Sequence, residues 1–269
     1  MNVHTTLDSW LATRRTIQSS GKTIGFVPTM GALHEGHLSL LRRARAENDV
    51  VLLSIFVNPT QFDNAEDLAK YPVMMEKDLA LAKSVGCDHV ITPNKAMMYP
   101  DDYRYRVSES DFSKKLCGAH RPGHFDGVLS VVLKLFNIAG STRAYFGEKD
   151  FQQLELIRGM ARAFFLDVDV IGCPTLREKD GLAMSSRNLR LSPQERKQAP
   201  LFARTLMETL KLDLSPEAAR QKLEQLGFRV DYVEDHMVGS PAARRRFGAV
   251  FLGNVRLIDN VTSDTTGVL

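Results

Sequence analysis

Two kinds of apolar pattern alternate along the first two thirds of the chain. Short runs at Ile24–Val27, Val50–Val57, His89–Thr92, Ala144–Phe146 and Val168–Gly172 are too brief for helices. The second, VVLLSIFV, is apolar but for Ser54 and rich in β-branched residues, which marks a strand buried on both faces of a parallel sheet. Between the runs lie segments of helical spacing: His37–Glu47, Val73–Val85 closed by Gly86, Val128–Ile138 and Phe151–Phe164. A further surface helix is predicted from Leu7 to Ile17, with Asp8 or Ser9 as its N-cap. Strand, helix and strand within about 35 residues make a βαβ unit. The expected fold is therefore α/β, a Rossmann-like parallel sheet with helices on both faces, over residues 1–175.

Two stretches resist assignment. Asn64–Tyr71 reads as a short helix or a loop. Lys95–Ser113 is polar and aromatic, with a turn at Tyr99–Asp102 and an edge strand expected at Arg104–Val107. After Pro174 the periodicity changes, and Arg177–Gly181 reads as a linker or mobile loop. Ser192-Pro193-Gln194-Glu195 is a strong helix start, combining an N-cap serine, proline at the first helical position and a capping-box glutamate. Ser215-Pro216 opens a second helix that Gly227 ends. With short strands at Val230–Val233, Ala249–Leu252 and Arg256–Ile258, residues 176–269 are expected to form a small α+β domain. The Arg244–Arg246 run reads as a solvated loop face, and the polar tail from Thr262 as frayed.

Composition narrows the function without naming it. Of 269 residues, 43% are hydrophobic and 25% charged, ordinary for a globular protein. A net charge of +3, with no stretch of interleaved basic and aromatic residues, argues against nucleic acid as partner. Cys87, Cys117 and Cys173 are scattered without metal spacing and are expected to be buried or inert. The N-terminus lacks the apolar core of a signal peptide, and nowhere do about 18 apolar residues run together as a membrane span needs. A cytoplasmic protein is expected.

Candidate chemistry gathers where strands end. After Ile24–Val27 comes a Pro/Gly turn and then a helix whose start carries His34 and His37. Unpaired N–H groups there and the positive end of the helix dipole suit phosphate. Asn58–Phe62 (NPTQF) follows the second strand, and polar side chains past the carboxyl ends of parallel strands line the ligand crevice of such sheets. A plain turn, with Gln61 solvated, is the competing reading. Gly147-Glu148-Lys149-Asp150 follows the fourth strand and reads either as part of that site or as a charged surface turn. Arg121–Phe125 opens a helix and suits an anion or a cap. Ala183–Asn188 sets two hydroxyls beside an arginine, a combination able to wrap a triphosphate. His89 lies in an apolar strand and reads as a packed histidine.

His34-Glu35-Gly36-His37 lacks the four-residue histidine spacing of a zinc metalloprotease, since Leu38 stands where the second histidine belongs, so no metal site is expected. The tetrapeptide resembles the HxGH signature of the nucleotidylyltransferase and class I aminoacyl-tRNA synthetase superfamily. Ala183–Arg187 resembles its KMSKS signature, with Ala183 and Ser186 where the lysines stand, which leaves Lys179 or Arg187 to supply charge from that side. Six stretches together resemble the pantothenate synthetase family over essentially the whole chain: PTMGALHEGH (28–37), IFVNPTQF (55–62), RPGHF (121–125), FGEKDFQQ (146–153), DGLAMSSRN (180–188) and RLIDN (256–260).

That resemblance implies an ATP-dependent ligase joining pantoate to β-alanine through a pantoyl adenylate, with AMP and pyrophosphate as by-products, and a homodimer. It implies ATP contacts from Met30, Gly31, Ala32, Leu33, His34, Glu35, Gly36 and His37. Gly147, Glu148, Lys149 and Asp150 join them, as do Leu176 through its backbone and Met184, Ser185, Ser186 and Arg187. Gln61 and Gln153 are implied to hold pantoate, Gln61 also β-alanine, and Arg121 and His124 match positions near that pocket. His34, His37, Lys149 and Arg187 form the implied catalytic set, directing charge and donors at the phosphates. Mg2+ is expected to be held mainly by ATP oxygens. The alternatives are a nucleotidyltransferase acting on a phosphorylated acceptor and a synthetase-like RNA-binding module.

Overall fold

The computed structural model describes residues 1–239 and 241–263. They form two compact units: residues 1–148 with 152–173, and residues 149–151 with the chain from Pro174 onward.

In chain order the first unit contains β1 (Asn2–His4), α1 (Leu7–Ser19), β2 (Ile24–Thr29), α2 (Glu35–Glu47), β3 (Val50–Ile55), α3 (Ala65–Ala69), α4 (Met75–Ser84), β4 (His89–Ile91), α5 (Lys95–Met98), α6 (Cys117–His120), α7 (His124–Ala139), β5 (Arg143–Gly147), all of α8 (Phe151–Ala163) except its first residue, and β6 (Asp169–Cys173). The six strands are all parallel, in the order β1-β4-β3-β2-β5-β6. Every residue of β3 is buried, as its nearly continuous apolar run predicts. β1 adds a sixth strand to the five predicted, since three residues show no periodicity to read. Thr6, not Asp8 or Ser9, caps α1 by accepting from the Ser9 N–H. No strand forms at Arg104–Val107. Asp101 takes the Tyr105 N–H and Ser130 Oγ the Val107 N–H, so side chains rather than a neighbouring strand satisfy that backbone. All three cysteines are buried, and none of them forms a disulfide.

β2 carries Pro28 inside a central strand, which has a consequence for the site. β2 pairs with β3 over six residues, but its ladder with β5 covers only Gly25↔Arg143 and Phe26↔Ala144. Alternation along β2 aims the amide of residue 28 at β5, and proline has no N–H to give. The two strands therefore part at their carboxyl ends. Strand order also reverses between β2 and β5, where open α/β sheets place their ligands.

The second unit holds α9 (Pro193–Gln198), α10 (Pro200–Lys211), α11 (Pro216–Gln225) and an antiparallel sheet β7-β8-β9 (Arg229–Val238, Ala243–Leu252, Val255–Thr262). The Ser192 capping box forms as predicted. The expected first helix splits at Pro200, which lacks the N–H to continue α9 and instead starts α10. The strands are longer than expected, and the arginine run lies within β8 rather than in a solvated loop. Arg246 is fully buried. It forms a two-pronged pair with Asp235 at 2.8 and 2.9 Å and donates to Thr209 Oγ1 and the Leu214 carbonyl. A charge so fully met can be buried, which residue type alone does not reveal. Thr262 closes β9. The rest of the expected frayed tail, from residue 264, lies outside the described residues.

Candidate functional site

The loop from Met30 to His34 leaves β2 at the switch point and enters α2. Gly31 (φ 83°) and Ala32 (φ 51°) both take left-handed backbone, so the chain turns sharply, at a cost for alanine. Asp78 of α4, 1% exposed, holds the turn. Its two oxygens accept from the Ala32 N–H at 2.9 Å and the Leu33 N–H at 2.7 Å. A Cβ on Gly31 would come within 3.0 Å of Asp78 Oδ2 and 3.1 Å of Ile55, so glycine lets the loop lie close against both.

His34 and His37 form a reciprocal capping box at the start of α2. The Gly36 N–H donates to His34 Nδ1 at 3.1 Å, and the His34 N–H donates to His37 Nδ1 at 3.3 Å. The rings lie 4.1 Å apart, tilted by 38°. A nitrogen that accepts from a backbone N–H carries no proton, so both imidazoles are held as Nε2–H tautomers. They are neutral donors in this arrangement, which leaves positive charge to other residues.

Gln61 sits on a short 3-10 turn, Pro59–Gln61, shortly after β3 ends at Ile55. Asn58, 1% exposed, organises that turn. Its amide donates to Gln61 Oε1 at 3.0 Å and to the Gly127 carbonyl at 3.2 Å. Its Oδ1 accepts from Tyr99 OH at 2.7 Å and Thr60 Oγ1 at 3.0 Å. With its oxygen engaged, Gln61 presents its NH2 group as donor. Arg121 and His124 clamp the Gln61 carbonyl, at 3.2 Å from Arg121 Nη2 and 2.8 Å from His124 Nδ1. Burial would push the Asp63 carboxyl up, but the adjacent Arg121 guanidinium, bonded to it at 2.8 Å, leaves it below the usual range. A Cβ on Gly127 would lie 2.3 Å from the Thr60 carbonyl, so α7 packs onto this turn at a distance only glycine permits.

Of the two glutamines in FGEKDFQQ, Gln152 is structural: it bonds the Phe112 and Lys115 carbonyls and the Cys117 N–H. Gln153, half-buried, is outside that bracket. A cavity of ≈ 310 Å³ opens past the ends of β2, β3 and β4, with Met30, Gly31, Phe56, Met74, Asp78 and Lys95 among its lining. It takes in the Met30–Gly31 end of the predicted nucleotide set but not His34, His37, Gln61 or Gln153. Beside Gly147 a Cβ would meet nothing within 4 Å, so neither packing nor backbone requires glycine there.

Lys149 and Asp150 belong to the second unit, as do Leu176 and the Met184–Arg187 segment. Lys149 follows β5 on a 3-10 turn, Glu148–Asp150, with Nζ 4.0 Å from Asp150 Oδ2. Arg177–Gly181, expected as a linker or mobile loop, lies in a tight hairpin that runs to Ala183. Arg177 bridges Ala183, and the Met184 N–H donates to the Leu176 carbonyl at 3.0 Å. Ser185 Oγ accepts from the Arg187 N–H and starts a 3-10 turn, Ser186–Arg190. Ala183 is buried, so the absence of a lysine there reflects packing, whereas Lys179 lies exposed on the hairpin.

The structure thus groups Met30–His37 in one loop-helix junction of the first unit, gathers Gln61, Arg121 and His124 in another, and carries Lys149 and Met184–Arg187 in the second unit. Sequence reasoning missed Asp78 and Asn58. Asp78 looks like any acid in a helix, and Asn58 like any turn asparagine; only its place directly after a buried strand hinted at more.

A family profile for pantoate-beta-alanine ligase matches residues 2–262. The chain belongs to that family. A pantothenate synthetase of Bdellovibrio bacteriovorus is 57% identical over 239 residues, covering 89% of this chain and 91% of that protein. One from Legionella pneumophila is 46% identical over 97% of this chain and 99% of its own length. Among solved structures, pantothenate synthetase of Thermus thermophilus matches with a TM-score of 0.88 at 41% identity, over 98% of this chain and 99% of its own. The pantoate-beta-alanine ligase of Francisella tularensis, complexed with beta-gamma ATP and beta-alanine, matches with a TM-score of 0.88 at 36% identity and 98% coverage of both chains. Among the described residues no helix is long and apolar enough to cross a membrane.

Proposed function

We propose that this chain joins pantoate to β-alanine, consuming ATP and releasing AMP and pyrophosphate through an enzyme-bound pantoyl adenylate. The observation that carries the reading is the full-length likeness to the Francisella tularensis ligase in complex with an ATP species and β-alanine. In the first step the pantoate carboxylate attacks the α-phosphorus of ATP, so two anions must meet. The Nε2–H donors of His34 and His37, at the positive end of α2, are suited to the charge that builds on phosphate. Lys149 and Arg187 supply formal positive charge. The Gln61 amide donor and Gln153 suit pantoate's carboxylate and hydroxyls, and Gln61 also serves β-alanine, whose amine then attacks the activated carbonyl. Arg121 and His124 act through Gln61 by fixing its carbonyl.

Mg2+ arrives with ATP on its phosphate oxygens. Among the described residues no cluster of three or more His, Cys, Asp or Glu side chains is arranged to hold a metal. Gly147, Glu148, Asp150, Leu176 and Met184–Ser186 complete the proposed nucleotide contacts, so residues 176–269 act as a small domain contributing the Met184–Arg187 segment. A cytoplasmic homodimer is part of the same reading.

ATP–pyrophosphate exchange with pantoate and without β-alanine tests it. Exchange is expected only when pantoate is present, and His37→Ala or Lys149→Ala should lower its rate about 100-fold or more, the usual cost of removing one phosphate-directed donor. Active protein that exchanges with a phosphorylated acceptor and not with pantoate overturns the ligase reading in favour of nucleotidyl transfer.

A further inference from the structure

Asn260 closes the RLIDN stretch, which the proposed chemistry does not use. It sits on β9 opposite Phe247 of β8 and is 3% exposed. Its Nδ2 donates to the carbonyl of Lys149 at 2.9 Å, and its Oδ1 accepts from Arg245. The Arg245 guanidinium in turn lies 3.7 Å over the Phe151 ring, and Phe151 also packs against Phe247 with ring centroids 6.2 Å apart. The three-residue strap Lys149–Phe151 is thus tied to the second unit at both ends, which is why it clusters there while its neighbours Glu148 and Gln152 do not. The adjoining Asp259, 3% exposed, binds Arg177 at the base of the hairpin before Met184–Arg187, at 2.6 and 3.0 Å.

We infer that Asn260 is a positioning residue for Lys149: it fixes the lysine backbone, through Arg245 and Phe151 fixes the strap's far end, and so sets where the ammonium group acts. The inference rests on the ligase reading and on the role proposed there for Lys149. An asparagine is suited to the task because one side chain donates to a carbonyl and accepts from a guanidinium at the same time. A hydrophobic residue at this buried position would break both hydrogen bonds, and an aspartate would meet Arg245 but set an oxygen against the Lys149 carbonyl.

The test is a double-mutant cycle between Asn260→Asp and Lys149→Ala, read by pantoate-dependent ATP–pyrophosphate exchange with thermal unfolding alongside. Displacing a reacting group by about 1 Å costs up to about 100-fold, so N260D should lower kcat about tenfold or more while KM for pantoate stays within about threefold. In the Lys149→Ala background the same change should alter kcat less than about twofold, because residues acting through one another are not additive. Asn260→Ser, which removes the reach of the amide without adding charge, goes through the same cycle should N260D fold poorly. Equal loss in both backgrounds means a merely structural role and overturns the inference, as does an N260D enzyme of undiminished kcat. Wild-type protein without pantoate-dependent exchange refutes the ligase reading itself, and a Lys149→Ala enzyme of near wild-type rate refutes the role of Lys149; the inference falls with either.

Discussion

Asp78 makes a sharp prediction because it touches only the backbone of the loop it holds. Its carboxylate is 1% exposed and accepts from two successive N–H groups, those of Ala32 and Leu33, at 2.9 and 2.7 Å. Hydrogen bonds to a charged group contribute about 1.5–3 kcal/mol each. Asp78→Asn keeps one acceptor for Leu33 but turns an NH2 group toward the Ala32 N–H, so one such bond is lost and a donor–donor contact added, about 2–4 kcal/mol together. The clamp opposes a left-handed non-glycine residue, Ala32 at φ 51°, whose strain of about 1–3 kcal/mol favours release once the clamp weakens. The loss should therefore appear as loop relaxation rather than global unfolding. Each 1.4 kcal/mol is tenfold in an equilibrium, and an apparent Kd scales with the fraction of protein holding the competent loop. ATP binding to D78N, measured by titration calorimetry, is expected to weaken about 10- to 100-fold. KM for pantoate at saturating ATP should change less than about threefold, since the Gln61 turn takes its bonds from Asn58, Arg121 and His124. A folded D78N protein whose ATP affinity lies within threefold of wild type refutes the reasoning, because it would mean the loop keeps its turn without the clamp.

Two further predictions concern stability. His4 bonds Ser9 Oγ at 2.8 Å and His89 Nδ1 at 3.1 Å beside Trp10, and burial depresses both histidines, His89 further through the neighbouring His4 charge against an opposing pull from Asp88. Folded pKa values below the unfolded value of about 6.5 mean that this stability is complete above pH 6.5 and is lost as pH falls through the depressed values; Tm should fall over that window in wild type and less steeply in His89→Gln, and an unchanged slope refutes the assignment. Arg246→Met leaves Asp235 short of its main partner and should cost about 3–5 kcal/mol in urea unfolding, most of it recovered by adding Asp235→Leu, whereas a cost below about 1 kcal/mol would show that the pair is not load-sharing.

The parallel sheet was legible because burial on both faces writes a simple signature: β3 is apolar at nearly every position, and its neighbours are short apolar runs ended by glycine or proline. What was not legible follows from the same physics. β1 is too short to show a period. The arginine run in β8 looked like a solvated loop because three adjacent charges seldom enter a core; whether Arg246 can be buried depends on Asp235, Thr209 and the Leu214 carbonyl, contacts between residues 11 to 37 positions apart in the chain. The site shows the same division. Residues expected to touch ligands, such as His34, Gln61 and Lys149, stand in local motifs. Of those that hold them in place, Asp78 and Asn260 act across the fold on backbone atoms, which any residue can offer, and Asn58 joins the Gln61 side chain to Tyr99 and the Gly127 carbonyl; no sequence pattern marks these contacts.

The histidines show how far that distinction reaches into chemistry. Spacing put two imidazoles at a helix start, and the family resemblance counted them among the residues directing charge and donors at the phosphates. Each Nδ1 instead accepts a backbone N–H at that helix start. Protonating either ring there would trade an acceptor for a donor facing a donor and break half of the capping box, which typically stabilises a helix by about 0.5–2 kcal/mol. The cap therefore favours neutral rings whose Nε2–H groups are preset as donors, at a helix end that already carries partial positive charge. Such donors need no reorganisation as charge develops on the transferring phosphate, and that is the property electrostatic catalysis rewards. In the proposed ligase chemistry, formal charge then comes from Lys149 and Arg187, and a buried side chain that restrains the Lys149 backbone, as Asn260 does, acts on the reaction through that charge.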